Sequence, residues 1–310
     1  MCKASRGNPR DAFFISQNYK NNHQNLITMQ VAIQGVKGAF HEVAARNYFG
    51  NDIEILPMLH FSDLAESVQN GDCDYGIMAV ENTISGTIHA NLNLIREHKL
   101  VVCGEEYLRI RQNLVAKKGT KIEDLNEVHS HYMAINQTRK FFKQHPNVHL
   151  VDSIDTALSM KEIAENNLDK RGAIGSLLAA EHYDLEVLAE SIETNKKNYT
   201  RFLILRNKET WNKNDSNKAS MALVLDNHLG SLAEILSIIA SHNIDLSKIE
   251  SVPLVGEPWH YQFYLDVLFD DKSKYHNMIT EISSKLDRID ILGEYTNGNQ
   301  SYSKIHHHDN

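Results

Sequence analysis

The chain has 310 residues, 42% of them hydrophobic and 23% charged, which is ordinary for a globular protein and enough for two or three domains with real cores. A net charge of -8 argues against a nucleic-acid backbone as partner, because binding phosphates needs clustered Lys and Arg, but leaves room for a small acidic substrate in a locally positive cleft. Three widely spaced cysteines, Cys2, Cys73 and Cys103, form no CxxC pair and point to a reducing, cytoplasmic setting without structural zinc, and no apolar run approaches membrane-spanning length.

Residues 1–28 are polar, rich in Asn and without the apolar core of a secretion signal, so they are expected to form a flexible extension. From 30 to about 206, short β-rich runs alternate with amphipathic stretches. Strands are predicted at 30–34, 53–56, 75–80, 100–103, 113–117, 148–152, 172–175 and 200–205, with helices at 39–49, 87–97, 131–143, 157–166 and 177–182. The alternation predicts an α/β region with mostly parallel sheets, as one sheet or as two lobes, and the extended stretch 100–117 suits a crossover between lobes. Residues 207–218 are almost wholly polar and read as a linker. Beyond it comes a strand at 219–225. A helix at 229–242 follows, with Leu229, Leu232, Ala233, Leu236 and Ala240 on one face. Strands at 244–253 and 260–269 flank a turn with Gly256 and Pro258, then come a helix at 272–286 and a strand at 289–295. That order, βαββαβ, predicts a ferredoxin-like sandwich at 219–296, with a polar tail at 297–310. The His306-His307-His308 triplet in the tail reads as a terminal remnant rather than a metal site.

Five places in the first region share one construction: an apolar strand ends, small or hydroxylated residues follow, and a helix begins. They are Gly35-Val36-Lys37-Gly38, the run from Glu81 to Thr87, Ser130-His131, Ser153-Ile154-Asp155-Thr156 and Gly175-Ser176. Ligands of open α/β sheets bind at the carboxyl ends of strands, and free N–H groups at helix N-termini hold anions. Singly, each Ser or Thr reads as a helix cap; together they predict a cleft for a small anion. A polar pentad, Asn198-Tyr199-Thr200-Arg201-Phe202, heads the strand predicted at 200–205. In a regular strand Thr200 and Arg201 point to opposite faces. Gly35-Val36-Lys37-Gly38 lacks the third glycine of a dinucleotide fingerprint, and the chain has no Walker sequence, GxSxG, HExxH or calcium loop. His129 and His131 share a strand face without a further evident ligand. No metal or cofactor is expected.

In order and spacing these motifs resemble those of prephenate dehydratases. The run from Val80 to Thr87 is similar to the family's ENS-containing loop, and the run from Gln34 to Phe40 to its Gly-rich turn. Ser130-His131 with Gln137 resembles SHPQAL, with Tyr132 in place of proline. Ala173-Ile174-Gly175-Ser176 with Ala179, Ala180 and Tyr183 resembles AAI-S-AA-Y, and Asn198 to Phe202 matches N-x-TRF. The C-terminal segment resembles the family's ACT domain: His228-Leu229-Gly230-Ser231-Leu232 stands for H-x-PGAL and Ile249-Glu250-Ser251-Val252-Pro253 for IESRP, without the proline and with Ser231 for alanine and Val252 for arginine.

The resemblance implies a two-lobed, periplasmic-binding-protein-like catalytic region at 29–207, a linker at 208–218 and an ACT domain at 219–296. It implies conversion of prephenate to phenylpyruvate, carbon dioxide and water, with aromatisation as the driving force. Thr200 is placed beside the leaving hydroxyl, polarising it or relaying a proton. Asn82, Thr83, Ser85, Gly86, Ser130, His131, Ser176 and Arg201 are expected at the substrate. Phe202 packs against the substrate ring or belongs to the core. Glu81 is either an acid raised by burial or, the preferred reading, an ion-pair partner of Arg201. Phenylalanine is the expected effector, held near Gly230, Ser231, Leu232, Glu250 and Ser251 between subunits of a homodimer or homotetramer. Arogenate dehydratase is the close competitor; a two-lobed solute-binding protein and a pure amino-acid sensor are the others.

Overall fold

The computed structural model describes residues 28–210, 215–225, 228–254 and 261–298. The expected turn with Gly256 and Pro258, the histidine triplet and residues 1–27 of the expected extension lie outside the described residues. The first lobe is built on β1 (Met29–Gln34), α1 (Phe40–Phe49), β2 (Ile53–Met58), α2 (Phe61–Asn70), β3 (Tyr75–Asn82), β4 (Gly86–Thr87), α3 (His89–Glu97) and β5 (Leu100–Arg109). The chain then crosses at 110–112 into the second lobe. This comprises β6 (Asn113–Ala116), β7 (Glu127–His131), α4 (Tyr132–Phe142), β8 (His149–Ser153), α5 (Thr156–Glu165), β9 (Arg171–Gly175), α6 (Leu177–His182) and β10 (Glu186–Ala189). It returns to the first lobe as β11 (Tyr199–Asn207).

Two crossings and two sheets thus define two lobes. The first sheet runs β2-β1-β3-β11-β5 with β4 on β3, the second β10-β6-β9-β7-β8. Apart from the two-residue β4, four strands of each sheet run one way and a fifth runs against them. β1 is parallel to β2 and β3, and β7 to β8 and β9, but β11 lies antiparallel between β3 and β5, and β6 antiparallel between β9 and β10. The reason is geometric: a strand that returns from the other lobe enters its sheet from the opposite end. At Gly38, whose φ is +85°, a side chain would collide with the Ala179 backbone of the second lobe. Only a residue without Cβ lets the lobes close here.

The C-terminal region comprises β12 (Lys218–Leu225), α7 (Ser231–Ser241), β13 (Asp245–Pro253), β14 (Tyr261–Leu268), α8 (Lys272–Ser283) and β15 (Leu286–Tyr295), in the antiparallel order β13-β14-β12-β15 of a ferredoxin-like sandwich. Its helices bury Ile235, Ile238, Ile239, Met278 and Ile282 against Met221, Leu223, Leu265 and Val267. The predicted helix face is corrected: Leu229, Ala233 and Ala240 are exposed, and the buried stripe runs through Ile235, Ile238 and Ile239. The sheet's other face lends Ala222, Tyr264, Leu292 and Tyr295 to a core shared with Leu92, Val102, Leu203 and Leu205 of the first lobe. A side chain at Gly293 would strike the Val102 carbonyl, so β15 sits directly on β5.

Candidate active site

Strand alternation decides which residues of the pentad meet a ligand. On β11, Thr200 and Phe202 share the face that lines a cleft between the lobes, with a volume of about 530 Å³. Gln34, His41, Asn82, Ser85, Gln112, His131, Gln137, Asp155 and Asn198 also line it, and no described lining residue is Lys or Arg.

The Thr200 hydroxyl is oriented by a relay of amides whose direction is fixed at one end by backbone. Asn82 Oδ1 accepts the N–H groups of Ile84 and Ser85 at 2.9 and 3.0 Å. Its Nδ2 must therefore donate, to Thr200 Oγ1 at 2.9 Å and to Asn198 Oδ1 at 2.8 Å. Asn198 Nδ2 then donates to Gln137 Oε1 at 2.8 Å, and Gln112 Nε2 donates to the same oxygen at 3.3 Å. Two consequences follow. Thr200 Oγ1 accepts from Asn82, which leaves its own proton for a partner in the cleft. Gln112 Oε1 is left buried with no hydrogen-bond partner. The relay crosses from β3 and β11 in the first lobe to α4 in the second, so it also holds the lobes in register.

His41, on the first turn of α1, packs edge-on against Phe202 at 5.0 Å between ring centroids, with an interplanar angle of 84°. Burial pushes its pKa down to about 4, so it is neutral at physiological pH, and its Nε2 is buried without a partner. Burial also lowers His131, against the pull of Asp155 and Asp152. Asp155 caps α5 by accepting the Leu158 N–H at 2.8 Å, and burial raises its carboxyl above the ordinary value.

The cleft brings together Thr200, Phe202, Asn82, Ser85 and His131 from the sequence-derived set. The others stand elsewhere. Thr83 braces the loop, its hydroxyl donating to the Lys197 carbonyl at 2.9 Å and accepting the Tyr199 N–H at 3.0 Å. Gly86 pairs with Asn82 in a two-stranded turn at φ +81°. Ser130 is fully buried and bonds the Ile174 carbonyl at 2.7 Å, while Ser176 caps α6 and bonds the Gly38 carbonyl at 2.5 Å. Both serve the framework.

Arg201 and Glu81 require a larger correction: neither lines the cleft. Arg201 points to the other face of β11, into a buried cluster, where it bonds Glu105 at 2.7 Å, the Tyr295 hydroxyl at 2.9 Å and Asp266. Glu81 lies 3.9 Å from Arg201 and pairs more closely with Lys248, at 2.8 Å. The preferred ion pair is thus a long contact at the edge of a network whose main anions are Glu105 and Asp266. Sequence reasoning missed His41 and Gln112, which lie outside the motifs, and Gln34, which opens the Gly-rich turn but was not read as a site residue; His41 follows that turn directly.

Of the effector candidates, Glu250 accepts a hydrogen bond from Thr87 at 3.2 Å and lies 3.4 Å from His89. It thus ties β13 to the wall of the cleft. Gly230 opens α7 at φ +89° beside Ser231 and Leu232, and Ser251 pairs with Phe263 across β13 and β14. No cluster of His, Cys, Asp and Glu among the described residues is arranged to hold a metal.

A proton-bearing hydroxyl held in a half-enclosed cleft of two α/β lobes suits the loss of a hydroxyl group, and the class is a dehydratase, within the lyases. The chain belongs to the prephenate dehydratase family, whose family model matches residues 31–210. It is 32% identical over 270 residues to a bifunctional chorismate mutase/prephenate dehydratase of Pseudomonas aeruginosa, covering 86% of this chain and 73% of that one. It is 40% identical over 228 residues to arogenate dehydratase 2 of Petunia hybrida, covering 73% of this chain and 57% of that one. Among solved structures, a prephenate dehydratase of Arthrobacter aurescens in complex with L-Phe superimposes with a TM-score of 0.78 at 25% identity, covering 90% of this chain and 97% of that one. A protein described as GqqA, a novel type of quorum quenching acylase, superimposes with a TM-score of 0.77 at 26% identity, covering 86% and 97%.

Proposed function

We propose that the protein aromatises prephenate to phenylpyruvate, carbon dioxide and water in phenylalanine biosynthesis. The observation that carries this reading is the Asn82–Thr200 hydrogen bond, which leaves the Thr200 proton for the leaving group. The electron pair of the breaking bond to the carboxylate flows into the ring. The C–O bond opposite breaks, and the departing hydroxide takes a proton as it leaves, giving water. Thr200 polarises that hydroxyl or relays the proton, because a Thr hydroxyl is too weak an acid to donate outright. The Ser85 hydroxyl, with backbone N–H groups at the start of α4, orients the carboxylates, Asn82 holds Thr200 in place, and Phe202 with His41 walls the ring. Positioning and fixed dipoles in a half-enclosed site supply the remainder. Glu81 and Arg201 act at a distance, by holding β3 and β11 to the C-terminal region. No metal or cofactor enters the scheme.

The C-terminal sandwich reads as an ACT domain that binds phenylalanine near Gly230, Ser231, Leu232 and Ser251, between subunits of a dimer or tetramer. The L-Phe complex of the similar structure supports it. Glu250 couples such a site to the cleft through Thr87. A catalytic region at 29–207, a linker at 208–218 and a regulatory domain at 219–296 complete the reading, in a cytoplasmic setting. Arogenate dehydratase, the same chemistry on the side-chain amine, is the second reading, favoured by the Petunia relative at 40% identity.

The deciding assay mixes purified protein with prephenate and follows phenylpyruvate, with arogenate in parallel and with a chelator in a third arm. Formation of either aromatic product, unaffected by the chelator, is expected. Loss of activity with chelator and recovery with one metal would sink the cofactor-free scheme. Calorimetry with phenylalanine tests the effector: no binding would leave the C-terminal region a role in assembly only.

A further inference from the structure

The substrate proposed for the cleft bears two carboxylates, while the chain as a whole has a net charge of -8 and repels an anion at long range. The cleft holds no described Lys or Arg to offset this. The positive charge stands next door. A second cavity, of about 560 Å³, is lined by Arg139 and Lys140 of α4 and by Lys143 at its end, and no described residue of its lining is acidic.

Met133 and Gln137 line both cavities, so the two adjoin across one turn of α4. The amide relay fixes how Gln137 stands between them. Its Oε1 accepts from Asn198 and Gln112, so its Nε2 carries two protons that no described residue takes up. Lys140 and Lys143 are exposed and have no carboxylate partner among the described residues. Glu193, one residue before Thr194 of the cavity wall, is turned inward, where it accepts the Gln112 N–H at 2.9 Å and the Ser191 hydroxyl at 2.7 Å. At the rise of a helix, Lys140 lies about 4.5 Å and Lys143 about 9 Å beyond Gln137 along the axis. Both distances fall within the ~10 Å over which a charge acts at 0.1 M salt. Cations in a last turn also complement the helix dipole, but that effect asks nothing of the side they face; these face a cavity that shares its wall with the cleft.

We propose that Arg139, Lys140 and Lys143 form a capture site for the anionic substrate, from which Gln137 passes a carboxylate into the cleft. The inference rests on the dehydratase reading of the cleft and adds a step before it. The three cations are exposed, so they attract a carboxylate without holding it, and the firm grip is left to Ser85 and the N–H groups at the start of α4. A cation inside the cleft would bind substrate and transition state alike and leave kcat unchanged. Charge placed outside speeds the encounter instead.

The test follows kcat/KM against ionic strength, on whichever of prephenate and arogenate the protein turns over. It compares the unaltered protein, the pair Lys140→Gln with Lys143→Gln, and a control pair, Lys99→Gln with Lys274→Gln. The control lysines are exposed, lie outside both cavities and remove the same charge. The unaltered protein should lose kcat/KM as salt rises. At low salt the capture pair should lower kcat/KM on prephenate by about fivefold or more, the scale of two charges acting on a dianion across about 10 Å of water, with kcat unchanged. Its salt dependence should flatten, so that the two proteins converge at high salt. On arogenate, whose ammonium cancels one charge, the fall should be smaller. Should the capture pair lose stability, Lys140→Gln alone is read in the same way. A kcat/KM that ignores salt in the unaltered protein would overturn the proposal. So would a control pair that falls as far, which would make net charge the cause, or a capture pair that loses kcat and keeps the salt slope, which would make the lysines structural. Turnover of neither substrate would overturn the dehydratase reading, and this inference with it.

Discussion

The two faces of β11 differ more than any two neighbouring regions of the molecule. On one, Thr200 and Phe202 look into a cleft whose polar groups, among the described residues, are neutral amides, hydroxyls and imidazoles with a single carboxylate. On the other, one peptide unit away, Arg201 is clamped among Glu105, Asp266 and Tyr295, with Lys218 on Glu105 at 2.9 Å and Ser220 on Tyr295 at 2.6 Å. The first face keeps protons and acceptors available for a ligand. The second leaves nothing unpaired. One motif thus holds two roles that strand alternation separates, chemistry on the even residues and attachment of the C-terminal region on the odd.

Removing Arg201 should have the largest effect. Arg201→Met leaves two buried carboxylates facing only Lys218, and breaking such a buried pair typically costs about 3–5 kcal/mol. Denaturant titration should show that loss, with the C-terminal region separating from the first lobe; a shift under about 1 kcal/mol would show that the two faces are not divided in this way. Next, Thr200→Ala should lower kcat by roughly 10²-fold or more with a smaller change in KM, the usual scale for losing positioned proton-transfer help. Its unfolding midpoint should barely move, and Thr200→Ser should recover part of the rate. Near-normal turnover in the Ala variant would remove Thr200 from the chemistry.

Acid should sharpen the contrast. Burial acts to raise the Asp266 carboxyl, but Arg201, Lys218 and Ser220 together outweigh it, and its pKa ends below the ordinary 3.8. A depressed carboxylate contributes stability that is complete above its unfolded value and is lost as pH falls through the folded one. The seam is therefore expected to hold through mildly acid pH and to weaken only below about 3.8. Fluorescence or scattering that reports separation near pH 6 would contradict this. The smallest effect belongs to Lys248→Met. Its pair with Glu81 is partly exposed, so stability should fall by under about 1 kcal/mol, and a loss as large as that of Arg201→Met would mean that this contact carries as much of the docking as Arg201.

How far the sequence revealed these features follows from how local each signal is. The strand–turn–helix junctions were legible because glycine, hydroxyl and apolar patterns sit side by side, and β1, β3 and β9 fall where predicted. The βαββαβ order was legible for the same reason. Helix α2 was missed although Phe61, Leu64, Ala65 and Val68 stand at the i, i+3, i+4, i+7 spacing of an amphipathic helix, so its signal was present and went unread. Strand β7 was hidden because Glu127 and His129, on its less buried face, mask the apolar alternation. In the site, Thr200 and Asn82 could be read from motifs. The destination of Arg201 could not, because Glu105 lies 96 residues away and Asp266 in another sheet. Gln112 gains its meaning only from the amide relay, which no spacing along the chain encodes.

The relay has a bearing on chemical ageing. Asparagine side chains slowly hydrolyse to aspartate, a change of one group with almost no change of shape. At Asn82 that change would remove the side-chain donor to Thr200 seen among the described residues and put an acceptor in its place. The Thr200 proton would then turn inward to the new carboxylate, away from the cleft, and Asn198 would lose the donor that fixes its own amide. An old molecule could keep its fold, its seam and its cleft, and still have its one working proton facing the wrong way.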